Sequence, residues 1–147
     1  MYSSIVVGTD GSERAREAVL HAANLARMTG ATLHVVSAYK RAGDGLAMAI
    51  PEVGAMAAAV AVDDEAIRAS VAEQVRRAVA GIEGVEIVHH VRPGVAGPAL
   101  CEVAHEEKAD LVVVGNRGMQ GARRVFGSVP NHVAHHAECA VLVVPTC

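Results

Sequence analysis

The sequence predicts one α/β domain built on a parallel sheet. A chain of 147 residues can bury about 70% of its unfolded surface. Apolar residues make up 52% of the chain but aromatic residues only 2%, so Val, Ala, Leu and Ile must form the core. Such a core suits parallel strands covered by alanine-rich helices. Apolar runs alternate with segments of helical periodicity, which favours right-handed strand–helix–strand crossovers.

Short apolar runs predict the strands, and apolar residues at helical spacing predict the helices. The predicted strands are residues 5–9, 32–38, 85–91, 111–114 and 141–144. The first helix is expected from Ser12 to Gly30 and the second from Asp63 or Asp64 to about Gly81. The other two are expected over 97–108 and 128–137. Residues 39–62 form the longest connection, which we expect to be mobile and to cover a ligand or a neighbouring subunit.

Composition excludes several classes of protein. The net charge is only −3 and no aromatic platform for stacking bases is visible, so no nucleic-acid partner is expected. The longest uncharged apolar stretch, residues 53–62, is too short to cross a membrane. Met1 leads directly into a strand without a signal peptide, so a cytoplasmic protein is expected. Cys101 and Cys139 are predicted to be small core residues.

The segment after the fourth predicted strand carries the strongest functional signal. Gly115, Asn116, Arg117 and Gly118 are followed, after eight intervening residues, by Gly127 and Ser128. Glycines allow close approach of the backbone to a ligand. Ser128 is predicted to be the N-cap of a helix whose first N–H groups would face an anion. Together with Arg123 and Arg124, Arg117 adds positive charge, so the segment indicates a phosphate site.

A second candidate segment, Thr9-Asp10-Gly11, follows the first strand. Ligands of open α/β sheets bind where the strand order reverses. The two segments meet only if strands one and four are neighbours, which the residues alone leave open. A tight loop without a ligand, with Asp10 as a simple turn residue, is the alternative. The chain has no P-loop, no GxGxxG after the first strand and no GxSxG, which argues against those nucleotide and hydrolase sites.

The histidines give a weaker signal. His132, His135 and His136 have the helical spacing of shared metal ligands, but no recognisable Cys or carboxylate motif accompanies them. We therefore expect a half-exposed helix face and no metal. His89 and His90 are neighbours in a strand, so their rings point to opposite faces and cannot bind one metal together.

Three motifs resemble those of the universal stress proteins. They are VVGTDGS at residues 6–12, ADLVVVG at 109–115 and the pattern G-x2-G-x8-G-S-V-P from Gly115 to Pro130. The resemblance covers essentially the whole chain, 1–147. It implies a five-stranded parallel sheet in the order 3-2-1-4-5 with helices on both faces, a Rossmann-like fold of the adenine nucleotide alpha hydrolase-like type. It also implies a homodimer paired through the last strand, here Ala140 to Val144.

The glycine pattern resembles that of the ATP-binding members, whose usual spacing has nine residues where this chain has eight. By position, the resemblance places phosphates and ribose at Gly115, Gly118, Gly127, Ser128 and Val129. It places the nucleoside beside Thr9 and Asp10, and adenine at the end of the second strand, from Val36 to Ala38. Asn116 and Arg117 would line the same loop, and we add Arg117 as a phosphate contact from its charge.

The expected function is that of a dimeric stress sensor or nucleotide sink that binds ATP, with or without Mg²⁺, or cyclic AMP. Cyclic AMP needs only one anion site. Hydrolysis usually needs a metal held by acids, and Asp10 is the only evident carboxylate, so an efficient enzyme is not expected. A nucleotide-free module that binds a partner protein and a slow ATPase are the alternatives.

Overall fold

The structure is a computed structural model that describes residues 1–41, 64–116 and 127–146. Five strands and four helices alternate within these ranges. They are β1 (Ser4–Gly8), α1 (Glu13–Thr29), β2 (Thr32–Tyr39), α2 (Asp64–Val79), β3 (Ile87–Pro93), α3 (Ala96–Glu106), β4 (Leu111–Gly115), α4 (Ser128–His136) and β5 (Ala140–Val144). Most of the connection predicted over 39–62 lies outside the described residues.

The strands form one parallel sheet in the order β3-β2-β1-β4-β5, which confirms the predicted fold class. The central strand β1 pairs with β2 on one side and with β4 on the other, where Ile5 lies opposite Leu111. After β1 the chain adds β2 and β3 on one side of the sheet and then β4 and β5 on the other. The strand order therefore reverses between β1 and β4. Their carboxyl ends form the switch point at which such folds bind ligands.

Alternation along β1 divides the core into two layers, one on each face of the sheet. Ile5 and Val7 pack with small residues of α1 such as Ala18 and Ala22. Val6 points to the other face, where it packs with Leu100 and Val103 of α3. Small aliphatic residues fill both layers, as the composition predicts.

The ends of α1 follow the sequence signals. Ser12 is the N-cap, and its Oγ accepts a hydrogen bond from the Ala15 N–H at 3.1 Å. Gly30 ends the helix in the left-handed conformation, with φ of 74°. Each device satisfies backbone groups that the helix itself leaves unpaired.

Helix α3 ends two residues before the predicted Lys108. Lys108 has a φ of 49°, the left-handed conformation that usually ends a helix. Its N–H donates to the His105 carbonyl at 3.3 Å, and the Ala109 N–H donates to the Ala104 carbonyl at 2.8 Å. These two bonds form a Schellman motif with lysine at the position that glycine usually takes.

Asp110 joins the amino ends of β1 and β4. Its Oδ2 accepts hydrogen bonds from the Ser3 N–H at 2.6 Å, the Ser3 hydroxyl at 2.8 Å and the Ser4 N–H at 3.0 Å. These bonds, with that from the Ser3 N–H foremost, lower the pKa of the Asp110 carboxyl from its ordinary value.

The two described cysteines lie at the margin of the second core layer. Cys101 and Cys139 are half-buried and pack against its residues. Burial raises the pKa of both thiols. The prediction of core positions is confirmed only in part, because neither side chain is fully enclosed. No helix in the described ranges is long and apolar enough to cross a membrane.

Candidate functional site

The segment after β1 is a tight turn anchored to β2. The Thr9 N–H donates to the Val36 carbonyl at 2.9 Å, which extends the pairing of the two strands by one residue. Thr9 Oγ1 in turn accepts from the Gly11 N–H at 3.2 Å. Asp10 Oδ1 accepts from the Ser12 N–H at 2.9 Å, so this carboxylate shapes the turn before α1 while its residue stays exposed. The turn role and a ligand role of Asp10 are therefore compatible.

The end of β4 is tied to the end of β5. Gly115 lies opposite Val144, and the Asn116 N–H donates to the Val144 carbonyl at 2.9 Å. Asn116 Oδ1 accepts from the Thr146 N–H at 2.9 Å and from the Thr146 hydroxyl at 3.2 Å. The amide oxygen of Asn116 thus holds the chain beyond β5 in place. Sequence reasoning missed Thr146, since no local pattern links it to Asn116.

The start of α4 differs from the prediction in its capping residue. Gly127, with φ of −58° and ψ of 158°, is the N-cap, and no side chain supplies a capping hydrogen bond. The prediction of Ser128 as N-cap is therefore wrong: Ser128 is the first helical residue. Pro130, the third helical residue, has no N–H, so one of the usual donors to a capping side chain does not exist. The remaining amides of the first turn belong to Gly127, Ser128 and Val129.

The candidate residues of β4 and α4 lie side by side. A Cβ built on Gly127 would lie 3.7 Å from the Asn116 carbonyl oxygen. The start of α4 is therefore next to the carboxyl end of β4, although ten residues separate them in the sequence. Arg117 and Gly118, like Arg123 and Arg124, lie outside the described residues.

The predicted adenine contacts on β2 differ from each other in exposure. The Val36 side chain is only 2% exposed and belongs to the second core layer. Its carbonyl oxygen accepts the hydrogen bond from the Thr9 N–H. The side chain and the carbonyl oxygen of Val36 therefore both have partners within the fold. Ala38 is half-buried and lies nearer the strand end. Of the two residues, Ala38 is the more accessible.

Two residues of α3, Leu100 and Gly97, support this edge of the sheet. Leu100 packs so closely on Gly8 that a Cβ added there would lie 3.0 Å from Leu100 Cδ1. Gly97 lies against α4: a Cβ added there would lie 2.9 Å from Cβ and Cγ of His132. These contacts set the positions of the β1 terminus and of α4 relative to each other.

The histidines of α4 interact with each other. The rings of His132 and His136 stack with centroids 4.1 Å apart and planes 15° apart. His136 Nδ1 is also 2.8 Å from the His132 carbonyl oxygen. His89 and His90 lie in β3, with His89 exposed and His90 half-buried. Burial, followed in size by the nearby His34 ring, lowers the pKa of His90 from its ordinary value of 6.5.

This edge of the sheet therefore combines several features of an anion site. The first amides of a helix have no partner within that helix and carry partial positive charge, which favours an anion. Those of α4 stand beside Gly115 and Asn116, and the turn at Thr9 and Asp10 lies at the adjacent strand end. Backbone amides in such an arrangement are chemically suited to a phosphate.

Comparison with known proteins gives a consistent result. The family model described as "Universal stress protein family" matches residues 1–145. Universal stress protein Rv1636 of Mycobacterium tuberculosis strain H37Rv is 37% identical over 157 aligned positions, which cover 99% of this chain and 97% of that protein.

Solved structures agree with this result. A universal stress protein crystallised in complex with cAMP is 33% identical, with a TM-score of 0.63, and the match covers 97% of this chain and 96% of that one. UspA from Lactobacillus plantarum has a TM-score of 0.75 at 24% identity, covers 97% of each chain, and supports the fold. The sheet order, the family match and these similarities agree, and the chain belongs to the universal stress protein family.

Proposed function

We propose that this protein binds an adenine nucleotide, ATP or cyclic AMP, across the carboxyl ends of β1 and β4, and acts as a dimeric stress sensor or nucleotide sink. One observation supports the proposal above all others: the start of α4 lies beside Asn116, at the switch point of the sheet. A helix start in this position directs backbone N–H groups toward the crevice where α/β folds bind ligands.

The proposed binding mode assigns each candidate residue a part. The amides of Gly127, Ser128 and Val129, with the Ser128 hydroxyl, would hold phosphate and ribose. Gly115, Asn116, Arg117 and Gly118 would line the same loop, where Arg117 adds charge. Thr9 and Asp10 would border the nucleoside, and Val36 and Ala38 the adenine, with Ala38 the more exposed of the two. Any Mg²⁺ bound with ATP would have Asp10 as its nearest candidate carboxylate.

We propose cyclic AMP and ATP equally as the ligand of this site. Its single phosphate carries one negative charge, which one helix start and one arginine can match. The relative that is 33% identical was crystallised with cAMP. Binding rather than catalysis is proposed, because phosphoryl transfer depends on positioned charge and metal ions and Asp10 is the only carboxylate among the candidate residues.

Calorimetric titration of nucleotide-stripped protein with cyclic AMP, ATP and AMP tests the proposal. We expect Gly127→Ala to weaken the preferred nucleotide at least about tenfold, a loss of about 1.4 kcal/mol, because the added methyl blocks close approach to the backbone. The fold should survive, since the new Cβ would meet Pro130 Cδ at an ordinary 3.4 Å.

His89→Gln is the control, since His89 is exposed on β3, at the far edge of the sheet from β4. It should leave the affinity unchanged. If no adenylate binds at millimolar concentration, the nucleotide proposal is wrong and a nucleotide-free interaction module is the better function.

The dimer belongs to the same proposal and rests on β5. This strand pairs with β4 on one side and lies at the edge of the sheet. Its sequence, AVLVV, is apolar, and an exposed apolar edge strand invites pairing with another chain. We expect sedimentation velocity to show a homodimer through Ala140–Val144 that dissociates on dilution. A single monomeric species at every concentration would contradict it.

A further inference from the structure

We propose that His34, His90 and Glu107 form a binding site for a divalent transition-metal ion such as Zn²⁺, separate from the proposed nucleotide site. His34 lies in β2, His90 lies in β3, and Glu107 is the C-cap of α3. One ligand atom from each lies within 4.8 Å of the other two.

The two imidazoles are brought together across the strands. Val36 lies opposite His90 in the parallel register, and His34 lies two residues before Val36 on the same face. His34 Nδ1 is 3.0 Å from His90 Nε2, and the ring centroids are 5.2 Å apart. Two nitrogens on one tetrahedral zinc ion, each about 2.0–2.1 Å from the metal, lie about 3.3 Å apart. The observed spacing therefore needs only a small widening.

Glu107 supplies the third donor from an anchored stretch of backbone. It directly follows α3 and precedes Lys108, whose left-handed backbone turns the chain. The Ser4 hydroxyl donates to the Glu107 carbonyl oxygen at 3.2 Å, which anchors this residue near the start of β1. The donor atoms lie within 4.8 Å of one another, so the carboxylate would move inward by up to about 1.5 Å to reach bonding distance of a shared ion.

The surrounding charge also suits a cation. Arg92 is a positive side chain close enough to act on His90, and its Nη2 is paired with Glu106 Oε2 at 2.6 Å. Glu106 therefore offsets the charge of Arg92, which leaves the charge of Glu107 available to a metal. The carboxyl end of α3 carries partial negative charge from its last carbonyls, and this end of a helix favours cations.

The donor set indicates the class of metal. Two imidazole nitrogens and one carboxylate are the protein ligands of many zinc sites that keep a fourth position for water. Ca²⁺ and Mg²⁺ prefer oxygen ligands, so they fit this cluster poorly. His34 is only 5% exposed, and a metal-bound imidazole in such a place would join β3, an edge strand, to β2 and to α3.

Location separates this site from the proposed nucleotide site. The backbone of Glu107 is anchored near the amino end of β1 by its bond to Ser4, whereas most of the nucleotide candidates follow the carboxyl ends of β1 and β4. The metal-binding residues lie on the β2–β3 side of the sheet, away from β4, although His90 lies opposite Val36, one of the proposed adenine contacts. None of the three metal-binding residues is among the nucleotide candidates, so failure of nucleotide binding would leave the metal proposal intact, and failure of metal binding would leave the nucleotide proposal intact.

Titration of chelator-treated protein with ZnCl₂, followed by calorimetry, tests the proposal. We expect one zinc ion per chain, and Co²⁺ in its place should give the visible absorption of a low-symmetry site. His90→Gln and Glu107→Gln should each weaken zinc binding at least about tenfold, since each removes a ligand. Circular dichroism of each variant checks that the sheet remains folded.

His89→Gln is the matched control, because it removes the neighbouring imidazole from the opposite face of β3. It should bind zinc as the wild type does. The proposal is wrong if zinc fails to bind below millimolar concentration, or if His90→Gln binds it as tightly as the wild type. The latter result would assign binding to other histidines and leave the His34–His90 contact as a purely structural hydrogen bond.

Discussion

Replacing Leu100 with alanine is expected to destabilise the protein by about 2–5 kcal/mol. Leu100 is only 1% exposed and lies in the core layer between α3 and the sheet. It also packs against the end of β1, where Gly8 leaves room for its methyl groups. Alanine would leave a cavity that these neighbours fill only in part. Urea denaturation followed by circular dichroism gives the free energy of unfolding.

Leu20→Ala is the matched control for that measurement. Leu20 lies in α1 and is 39% exposed, so the same change of side chain removes much less buried surface there. We expect a cost well below that of Leu100→Ala, of the order of 1 kcal/mol or less. Equal costs at the two positions would mean that Leu100 does not support the core as the structure indicates.

The order of elements could be predicted from the sequence because it depends on local patterns. Apolar runs of about five residues identify buried strands, and the Ser12 and Gly30 signals identify the ends of α1. Pairing between strands is different, since Ile5 and Leu111 meet only in the folded chain. The neighbourhood of β1 and β4 followed from resemblance to a family and not from the residues themselves.

Prediction of the candidate site was limited because parts of it depend on the folded backbone and not on local sequence patterns. Gly127 and Ser128 are both acceptable N-caps, and only the backbone shows that the helix begins after Gly127. The bond from Thr146 to Asn116 joins residues that no short motif connects. The left-handed Lys108 was not foreseen, because lysine carries no signal for that conformation.

The histidines show what alternation along one strand can and cannot reveal. It correctly separates His89 from His90, because neighbouring side chains in a strand point to opposite faces. It says nothing about the partner of His90 on the next strand. That partner, His34, depends on the register between β2 and β3, which is a property of the folded sheet. The proposed metal site could therefore not be found from the sequence.

Gly97→Ala should destabilise the protein by about 1–3 kcal/mol, the usual cost of overpacking. Helix propensity alone predicts that the substitution stabilises the protein, because alanine is normally favoured over glycine in a helix. At this position the new Cβ would lie 2.9 Å from Cβ and Cγ of His132, so α3 and α4 would have to move apart. Chemical denaturation measures the cost, and a stabilised variant would contradict the close helix contact.

A double-mutant cycle with His132→Ala tests whether this contact is the cause. Truncation of His132 removes Cγ and the ring but keeps Cβ, so Gly97→Ala should cost less in that background without becoming neutral. The displacement of α4 has a second expected effect. Because α4 carries Ser128 and Val129, Gly97→Ala should also weaken the proposed nucleotide binding, and His132→Ala should restore part of it. If Gly97→Ala costs the same free energy of unfolding in both backgrounds, its contact with His132 is not the cause of the destabilisation. The expected effect of this contact on nucleotide binding would then also be contradicted.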